Sequence, residues 1–426
     1  MTSSSWLWRF RDVYDMLWKM VIRPPRDLYT EDELGPDKFR LGKKVFIRRD
    51  LELTSSRGQL KCSHFLPAKG STEARPCVVY LHGNCSSRLE AFDALPVLLP
   101  QDVSVFSMDL SGSGRSDGEY ISLGYHEEQD LRTCLEFLRQ LPTVSSIGLW
   151  GRSMGASTSI LRAAQDSKIA ACVLDSAFKD LKTVADELVG KGRFPWPTFL
   201  TGWALDMVRN EVLNRANFDI LELSPISRAP DAACPGFFGV ASDDTFVLPH
   251  HTQELHNAWG GHKHFRVFEG GHNGVRPLWF LEEAADFLAK ELRDWRQDVH
   301  KLQDEIQESG DDSRQLESTM DTCEDLLDVG LGLDATRVQE RRYDESGTCE
   351  DVLGLQTGSS QGFRAAAVPI SQVCQETPKS IPAGLSILEQ LTFLGFDQRP
   401  AEWASRRSLT LEDAVALLSG QASVQL

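Results

Sequence analysis

The five-residue segment Gly151-Arg-Ser-Met-Gly155 follows an apolar run and has the G-x-S-x-G spacing of a nucleophile elbow. Such an elbow is a tight turn between a strand and a helix, and it exposes the serine hydroxyl at the edge of a sheet. Glycine is needed at both ends because a Cβ atom there would collide with the turn. The spacing therefore predicts that Ser153 is the nucleophile of a serine hydrolase.

Short Gly/Ser segments also occur in ordinary loops, so a nucleophile at this position requires an acid and then a histidine later in the chain. A strand-like segment at residues 235–241 leads directly to two adjacent carboxylates, Asp243 and Asp244. An apolar residue, Val247, follows Asp244 by three positions. This spacing resembles a G-x-x-D-x-x-V loop, in which the aspartate is the acid, so we predict Asp244 as the acid. Asp243 is the second candidate. Whichever of the two carboxylates is not the acid would cap or solvate the loop.

The histidine is predicted at His272, in the glycine-rich turn Glu269-Gly-Gly-His-Asn-Gly274 after a short strand. Among ten histidines, it alone combines a glycine turn, a position after the acid and a following helix. We expect five histidines in the same half of the chain to be ordinary surface residues: His250, His251, His256, His262 and His264.

An oxyanion hole requires two backbone N–H groups, one after the nucleophile and one in the loop after an earlier strand. The apolar segment at residues 77–81 is that strand, and the loop after it begins with His82. We predict the amides of Met154 and Asn84 as the donors, with Cys85 as the alternative to Asn84. His82 is interpreted as a residue that holds the turn and takes no part in proton transfer.

Strand-like and helix-like segments alternate around these residues, which predicts an α/β fold. The sheet would be mostly parallel and eight-stranded, with helices on both faces. Predicted strands are 44–53, 60–65, 77–81, 103–108, 146–150, 170–174, 235–240 and 264–268. Predicted helices lie near 88–99, 124–140, 154–165, 250–258 and 277–298.

The alternation stops at about residues 180–225, which indicates a helical cap inserted over the site. Its apolar side chains predict a pocket for an acyl chain or a hydrophobic leaving group. Helical packing against the domain is the alternative, because the same spacing is typical of a core face. The residues concerned are Phe194-Pro-Trp-Pro197, Phe199, Trp203, Met207 and Val212.

Together these motifs resemble the α/β-hydrolases of the serine-aminopeptidase-like group, which includes monoacylglycerol-lipase-like enzymes, and especially a plant and protist subgroup. Further matching motifs are Ile22-Arg-Pro-Pro-Arg26, Ser111-Gly-Ser-Gly114 and Arg276-Pro277. The resemblance covers about residues 20–295 and implies the α/β-hydrolase fold and a Ser153, Asp244 and His272 triad. It leaves the substrate open, because many members of the group cleave esters or thioesters instead of peptides.

The sequence thus predicts hydrolysis of a carboxylic ester or thioester of a hydrophobic acyl substrate through an acyl-serine intermediate, without cofactor or metal. One alternative is a serine peptidase, aminopeptidase-like, or a protein depalmitoylase. A second alternative is a non-catalytic scaffold of the same fold, in which a C-terminal module binds its partner.

Composition favours a cytoplasmic enzyme with additional segments. The net charge of −17 argues against nucleic-acid binding, which requires a basic face. Nine cysteines without C-x-x-C pairs fit a reducing compartment better than disulfides or a zinc site. Residues 300–380 are predicted to form a disordered acidic linker, because residues 301–380 contain 17 acidic and 7 basic residues and few aromatics. The hydrolase domain would then span residues 26–299.

The two ends of the chain carry further predictions. Residues 1–25 read as an amphipathic helix that packs on its own domain or, alternatively, lies peripherally at a membrane. Residues 381–422 resemble a ubiquitin-associated (UBA) domain, a small three-helix module. The resemblance implies possible ubiquitin binding through Leu394, Gly395 and Phe396, where leucine replaces the usual methionine.

Overall fold

A computed structural model describes residues 15, 17–69, 73–190, 201–308, 339, 340 and 386 of the chain. Within the described helices, only the backbone is considered for residues 189, 190, 201–205, 299, 300 and 302–308. All described helices and strands belong to the unit Met1–Glu340. Apart from residue 386, the predicted UBA-like module with Leu394, Gly395 and Phe396 lies outside the described residues, as does most of the predicted linker.

The strands are β1 Lys38–Leu41, β2 Lys44–Ser55, β3 Gly58–Pro67, β4 Arg75–Leu81, β5 Ser104–Met108, β6 Val144–Arg152, β7 Ala171–Asp175, β8 Gly236–Ala241, β9 Lys263–Phe268 and β10 Gln339–Glu340. They form one sheet in the order β1-β2-β3-β5-β4-β6-β7-β8-β9, with β10 paired to β2. Six neighbouring strands run parallel, in the order β5-β4-β6-β7-β8-β9. The strands β1, β2 and β3 are antiparallel to their neighbours. The prediction of a mostly parallel α/β sheet is confirmed.

The sheet contains all eight predicted strands and two short ones that were not predicted. β1 has four residues and pairs with β2 through a tight turn, in the register Leu41 to Lys44. β10 has two residues and pairs with Leu51 and Glu52 of β2. Segments this short carry too few alternating positions to be separated from a loop by sequence pattern.

The helices are α1 (residues 17–22), α2 Leu95–Leu98, α3 Glu127–Arg139, α4 Met154–Ala163, α5 Leu181–Gly190, α6 Thr201–Ala216, α7 Pro225–Arg228, α8 Pro249–Ala258 and α9 Leu278–Glu308. The helix predicted near 88–99 is instead a succession of short turns, Arg88–Asp93, α2 and Leu99–Gln101. Pro96 and Pro100 explain the breaks, because proline removes a backbone donor. α9 extends past residue 298, to Glu308. None of the described helices is long and apolar enough to span a membrane.

Both faces of the sheet are covered by apolar side chains. Every residue of β4 is buried, and alternate positions belong to different core clusters. Val79 packs in the cluster that includes residues of α3 and α4. Tyr80 packs in the other cluster, which includes residues of α9. A continuous apolar run buried on both faces is the expected pattern for a central parallel strand.

The described part of the N-terminal helix packs against its own domain. Trp18 and Ile22 are buried with Val208 and Val212 of α6. The guanidinium of Arg215 lies 4.2 Å from the centroid of the Trp18 ring. Packing on its own domain is one of the two alternatives predicted for this helix. Residues 1–14 lie outside the described part of the chain. Val212, one of the predicted cap residues, also belongs to this packing.

His64 is a buried histidine in β3, beside the Sγ atom of Cys77 and the ring of Phe106. Burial lowers its pKa to about 3. The neutral imidazole is therefore the form that the folded protein stabilises.

We expect the stability of the protein to fall on acidification through His64. The pKa of His64 is lower in the folded protein than in the unfolded chain, so the unfolded chain takes up the proton first as the pH falls. The contribution of His64 to the free energy of unfolding is therefore complete above pH 6.5, and it declines by up to about 1.4 kcal/mol per pH unit below pH 6.5. His64→Phe should remove this part of the slope of unfolding free energy between pH 6.5 and 4, measured by urea denaturation. His262→Phe, at an exposed position, is the control. Parallel curves for His64→Phe and the wild type would contradict the assignment.

Candidate active site

Ser153 occupies the turn between β6 and α4 with φ 51° and ψ −112°. This left-handed conformation is strained for a residue with a side chain. The glycines on either side allow close contact with the turn and with β4. A Cβ atom on Gly151 would lie 2.3 Å from the Gly155 carbonyl oxygen, and one on Gly155 would lie 2.1 Å from the Leu81 carbonyl oxygen.

Gly155→Ala is therefore expected to lower the free energy of unfolding by about 2–4 kcal/mol, because the turn must move away from β4 to admit the methyl group. Gly83→Ala is a matched control for stability, since its added Cβ would meet neighbours only at 3.7 Å and beyond. Urea denaturation of both variants measures the difference. Equal stabilities would show that the turn can relax without cost.

Ser153, His272 and Asp244 form a continuous chain of hydrogen bonds. Nε2 of His272 lies 2.9 Å from Oγ of Ser153, and Nδ1 lies 2.6 Å from Oδ2 of Asp244. A carboxylate can only accept, so Nδ1 carries the proton and Nε2 is left to accept the serine hydroxyl. The three residues are 8%, 9% and 2% exposed, respectively.

The acid loop distinguishes the two candidate carboxylates. Oδ1 of Asp244 accepts hydrogen bonds from the amides of Phe246 and Val247, both at 2.9 Å, which fixes the carboxylate for His272. Asp243 is exposed, and its carboxylate accepts only from Ser242 Oγ among the described residues. The structure thus brings Asp244 to the histidine and leaves Asp243 at the loop surface.

The loop after β4 lies beside the nucleophile, since a Cβ atom on Gly83 would be 3.8 Å from Cβ of Ser153. The Cys85 amide donates to Oδ1 of Asn84 at 2.8 Å and is therefore occupied. In the described part of the chain, neither the Asn84 amide nor the Met154 amide donates a hydrogen bond to another residue. This favours Asn84 over Cys85 as the oxyanion donor.

His82 is completely buried at the start of the same loop. Its Nε2 accepts from the Leu110 amide at 3.1 Å, so Nδ1 carries the proton and donates to the Gly83 carbonyl at 2.7 Å. Both nitrogens are used in holding neighbouring loops together, which agrees with the structural role predicted for this residue.

A buried ion pair that was not predicted from the sequence lies behind the histidine loop. Arg276 contacts Asp175 through two hydrogen bonds of 2.7 and 2.9 Å, and it donates to the carbonyls of His272 and Gly274 at 3.0 and 2.8 Å. Burial opposes ionisation of Asp175, but the adjacent guanidinium holds the pKa of that carboxyl below its usual value. In the sequence, Arg276 appeared only as part of the Arg276-Pro277 motif, and no local pattern singled out Asp175 as its partner.

Exposed apolar side chains lie on the acid loop and in the segment that follows the histidine. The ring centroid of Phe246 is 5.2 Å from that of His272, and Phe246 is 40% exposed. Val275, three residues after the histidine, is 72% exposed, and Leu278 and Trp279 follow it at the start of α9. Exposed apolar residues grouped in this way are typical of a surface that meets an apolar ligand.

His251 is a correction to the predicted surface histidines, because it is completely buried. Its Nδ1 accepts from the Lys179 amide at 3.3 Å, and Nε2 lies 3.1 Å from a carboxylate oxygen of Glu187. His250 lies between Glu187 and Glu254, at 2.6 and 3.0 Å. These contacts connect α5 to α8, and the amide at Nδ1 leaves the proton of His251 on Nε2, toward Glu187.

Comparisons with known proteins agree with this architecture. A family model described as the alpha/beta hydrolase fold matches residues 76–219. An uncharacterized protein of Bacillus subtilis, YqkD, is 25% identical over 206 residues, which are 46% of this chain and 65% of that protein. The chain therefore spans slightly less than two thirds of that relative.

Two solved structures are among those similar to this chain. The esterase Pf2001 of Pyrococcus furiosus has a TM-score of 0.48 at 22% identity, over 64% of this chain and 99% of the esterase. The acylaminoacyl peptidase of Pyrococcus horikoshii has a TM-score of 0.47 at 16% identity, over 62% of this chain and 44% of the peptidase.

Proposed function

We propose that this chain, which has the α/β-hydrolase fold, is a serine hydrolase that cleaves a carboxylic ester or thioester of a hydrophobic acyl substrate. The observation that carries the proposal is the hydrogen-bond chain from Ser153 Oγ through His272 to Asp244. The strained backbone of Ser153 and the unoccupied amides of Asn84 and Met154 support it.

The reaction would proceed in two steps. As Oγ of Ser153 attacks the substrate carbonyl, its proton passes to Nε2 of His272, and Asp244 stabilises the resulting imidazolium. The bond to the leaving group breaks, and His272 returns the proton to that group. Water then cleaves the acyl-serine by the same route. The amides of Asn84 and Met154 would bind the oxyanion, a contribution of about 3 kcal/mol per donor in comparable sites.

The hydrophobic substrate is inferred from the surroundings of the histidine. Phe246 presents apolar surface next to the base, and Val275 is an exposed apolar residue of the segment that follows the base. An acyl chain bound there would gain roughly 0.8 kcal/mol for each buried methylene group. We therefore expect kcat/KM to rise by up to about four-fold per methylene until the apolar surface is covered.

A substrate comparison tests the proposal. The purified full chain would be assayed with p-nitrophenyl esters from acetyl to palmitoyl, with acyl thioesters of the same lengths and with aminoacyl p-nitroanilides. We expect esters or thioesters of medium chain length to give the highest kcat/KM. Preference for the anilides would instead assign a peptidase, and preference for long-chain thioesters would favour a depalmitoylase. Absence of turnover together with absence of reaction with a fluorophosphonate would indicate a scaffold.

A further inference from the structure

We infer that Glu90 and Arg152 form a brace that positions the oxyanion loop and the histidine loop around the nucleophile. The inference deepens the proposed serine-hydrolase function and rests on it. Neither residue contacts the reacting atoms, so both are positioning residues. The brace joins segments that follow three different strands, β4, β6 and β9.

One end of the brace holds the oxyanion loop. Oε2 of Glu90 accepts a hydrogen bond of 2.6 Å from the amide of Gly83. Gly83 directly precedes Asn84, so this bond restricts the backbone that carries the proposed donor. Gly83 also lies against Ser153, where a side chain would approach the nucleophile. A carboxylate is well suited to this task, because hydrogen bonds to a charged acceptor are stronger than neutral ones.

The other end holds the histidine loop. Oε1 of Glu90 lies 3.0 Å from a guanidinium nitrogen of Arg152, the residue that precedes the nucleophile. Nη2 of Arg152 donates to the carbonyls of His272 and Gly274, both at 3.2 Å. The side chains of Glu90 and Arg152 are 10% and 13% exposed, so solvent screens the pair only weakly. A single ion pair thereby spans the loops of nucleophile, base and oxyanion donor.

The charge of Glu90 is as important as its shape. Burial alone would lower the pKa of Arg152, but Glu90 and Asp175 hold it above its usual value. Without Glu90, a less compensated cation would face the backbone of His272 and disfavour its imidazolium form. Other charged or titratable groups also surround Arg152 and His272. Asp93 and Tyr80 lie near Arg152, Asp244 contacts the imidazole of His272, and the Arg276–Asp175 pair lies behind the histidine loop.

Glu90→Gln tests the brace, because the amide oxygen can still accept from Gly83 while the charge is lost. We expect kcat to fall about 10- to 100-fold with little change in KM, as for a lost alignment of catalytic groups. The acidic limb of the pH profile of kcat/KM should move to lower pH by about one unit. In Glu90→Gln/Arg152→Gln the limb should return to its wild-type position while kcat stays low.

A matched control is available in a second buried pair. Glu128 and Arg162 are 3.1 Å apart, with side-chain exposures of 17% and 10%. Among the described residues, neither has a hydrogen bond or ion pair to the three loops. Glu128→Gln should leave kcat and the acidic limb unchanged. Thermal denaturation of each variant separates loss of folding from loss of alignment.

The outcomes distinguish this inference from the proposed function. If the wild type is active and Glu90→Gln keeps both the wild-type kcat and the wild-type acidic limb, the inference about the brace is overturned, but the proposed function is not. If Glu90→Gln lowered the melting temperature but left the acidic limb of the pH profile in place, the pair would have only a structural role. That result would also contradict the inference. A wild type without turnover or fluorophosphonate reaction would remove the proposed function as well.

Discussion

Ser153→Ala is expected to lower kcat for p-nitrophenyl ester hydrolysis by roughly 10⁵- to 10⁶-fold, with the fold and the stability preserved. The hydroxyl oxygen is the only protein atom of the proposed mechanism that bonds covalently to the acyl carbon of the substrate, and its loss removes the acyl-serine route. The remaining rate would come from the oxyanion donors and from substrate binding. Release of p-nitrophenolate under saturating ester measures the change.

Ser159→Ala provides the control for Ser153→Ala. Ser159 lies on the same helix, α4, is fully buried, and donates from Oγ to the Gly155 carbonyl at 2.8 Å without contacting the histidine. Its loss should leave kcat within about two-fold of the wild-type value, as for a substitution outside the reacting groups. Substantial ester turnover by Ser153→Ala would assign the chemistry to another nucleophile.

Asp244→Asn is expected to lower kcat by about 10⁴-fold, the scale found where the orienting acid of a serine triad is neutralised. An asparagine can keep the contacts of the loop, but it can present an N–H to the imidazole and so favour the wrong tautomer. It also removes the charge that stabilises the imidazolium. The measurement is kcat for ester hydrolysis between pH 6 and 9.

The adjacent carboxylate supplies a control of the same chemistry. Asp243→Asn removes an equal charge one position earlier, from a side chain that is exposed and does not reach His272. It should leave kcat within about two-fold of the wild-type value, because an exposed charge at that distance is strongly screened. If Asp243→Asn were the damaging change, the acid would have to be reassigned.

The sequence contained enough to predict the mostly parallel sheet and the three residues that meet at its edge. The carboxyl ends of parallel strands lie at one edge, so a serine after β6, an acid after β8 and a histidine after β9 converge there. The prediction of Asp244 rested on Val247, and in the structure the amide of Val247 donates to the Asp244 carboxylate that contacts the histidine.

Other features depend on contacts between distant segments and left no local pattern. Glu90 and Arg152 belong to different elements, and nothing in either segment indicates that a buried pair forms between them. His251 lies in a polar, histidine-rich stretch, yet the fold buries it beneath Glu187 of α5. Tertiary packing decides such cases, since local periodicity describes only one element at a time.

Mapping the site of a covalent fluorophosphonate adduct tests the central claim most directly. The purified wild-type chain would be reacted with the probe, its intact mass measured, and the modified peptide identified by mass spectrometry. We predict a single adduct on Ser153 and no adduct in Ser153→Ala, with Ser159→Ala labelled like the wild type. An adduct on another residue, or labelling that persists in Ser153→Ala, would contradict the assignment of Ser153 as the nucleophile.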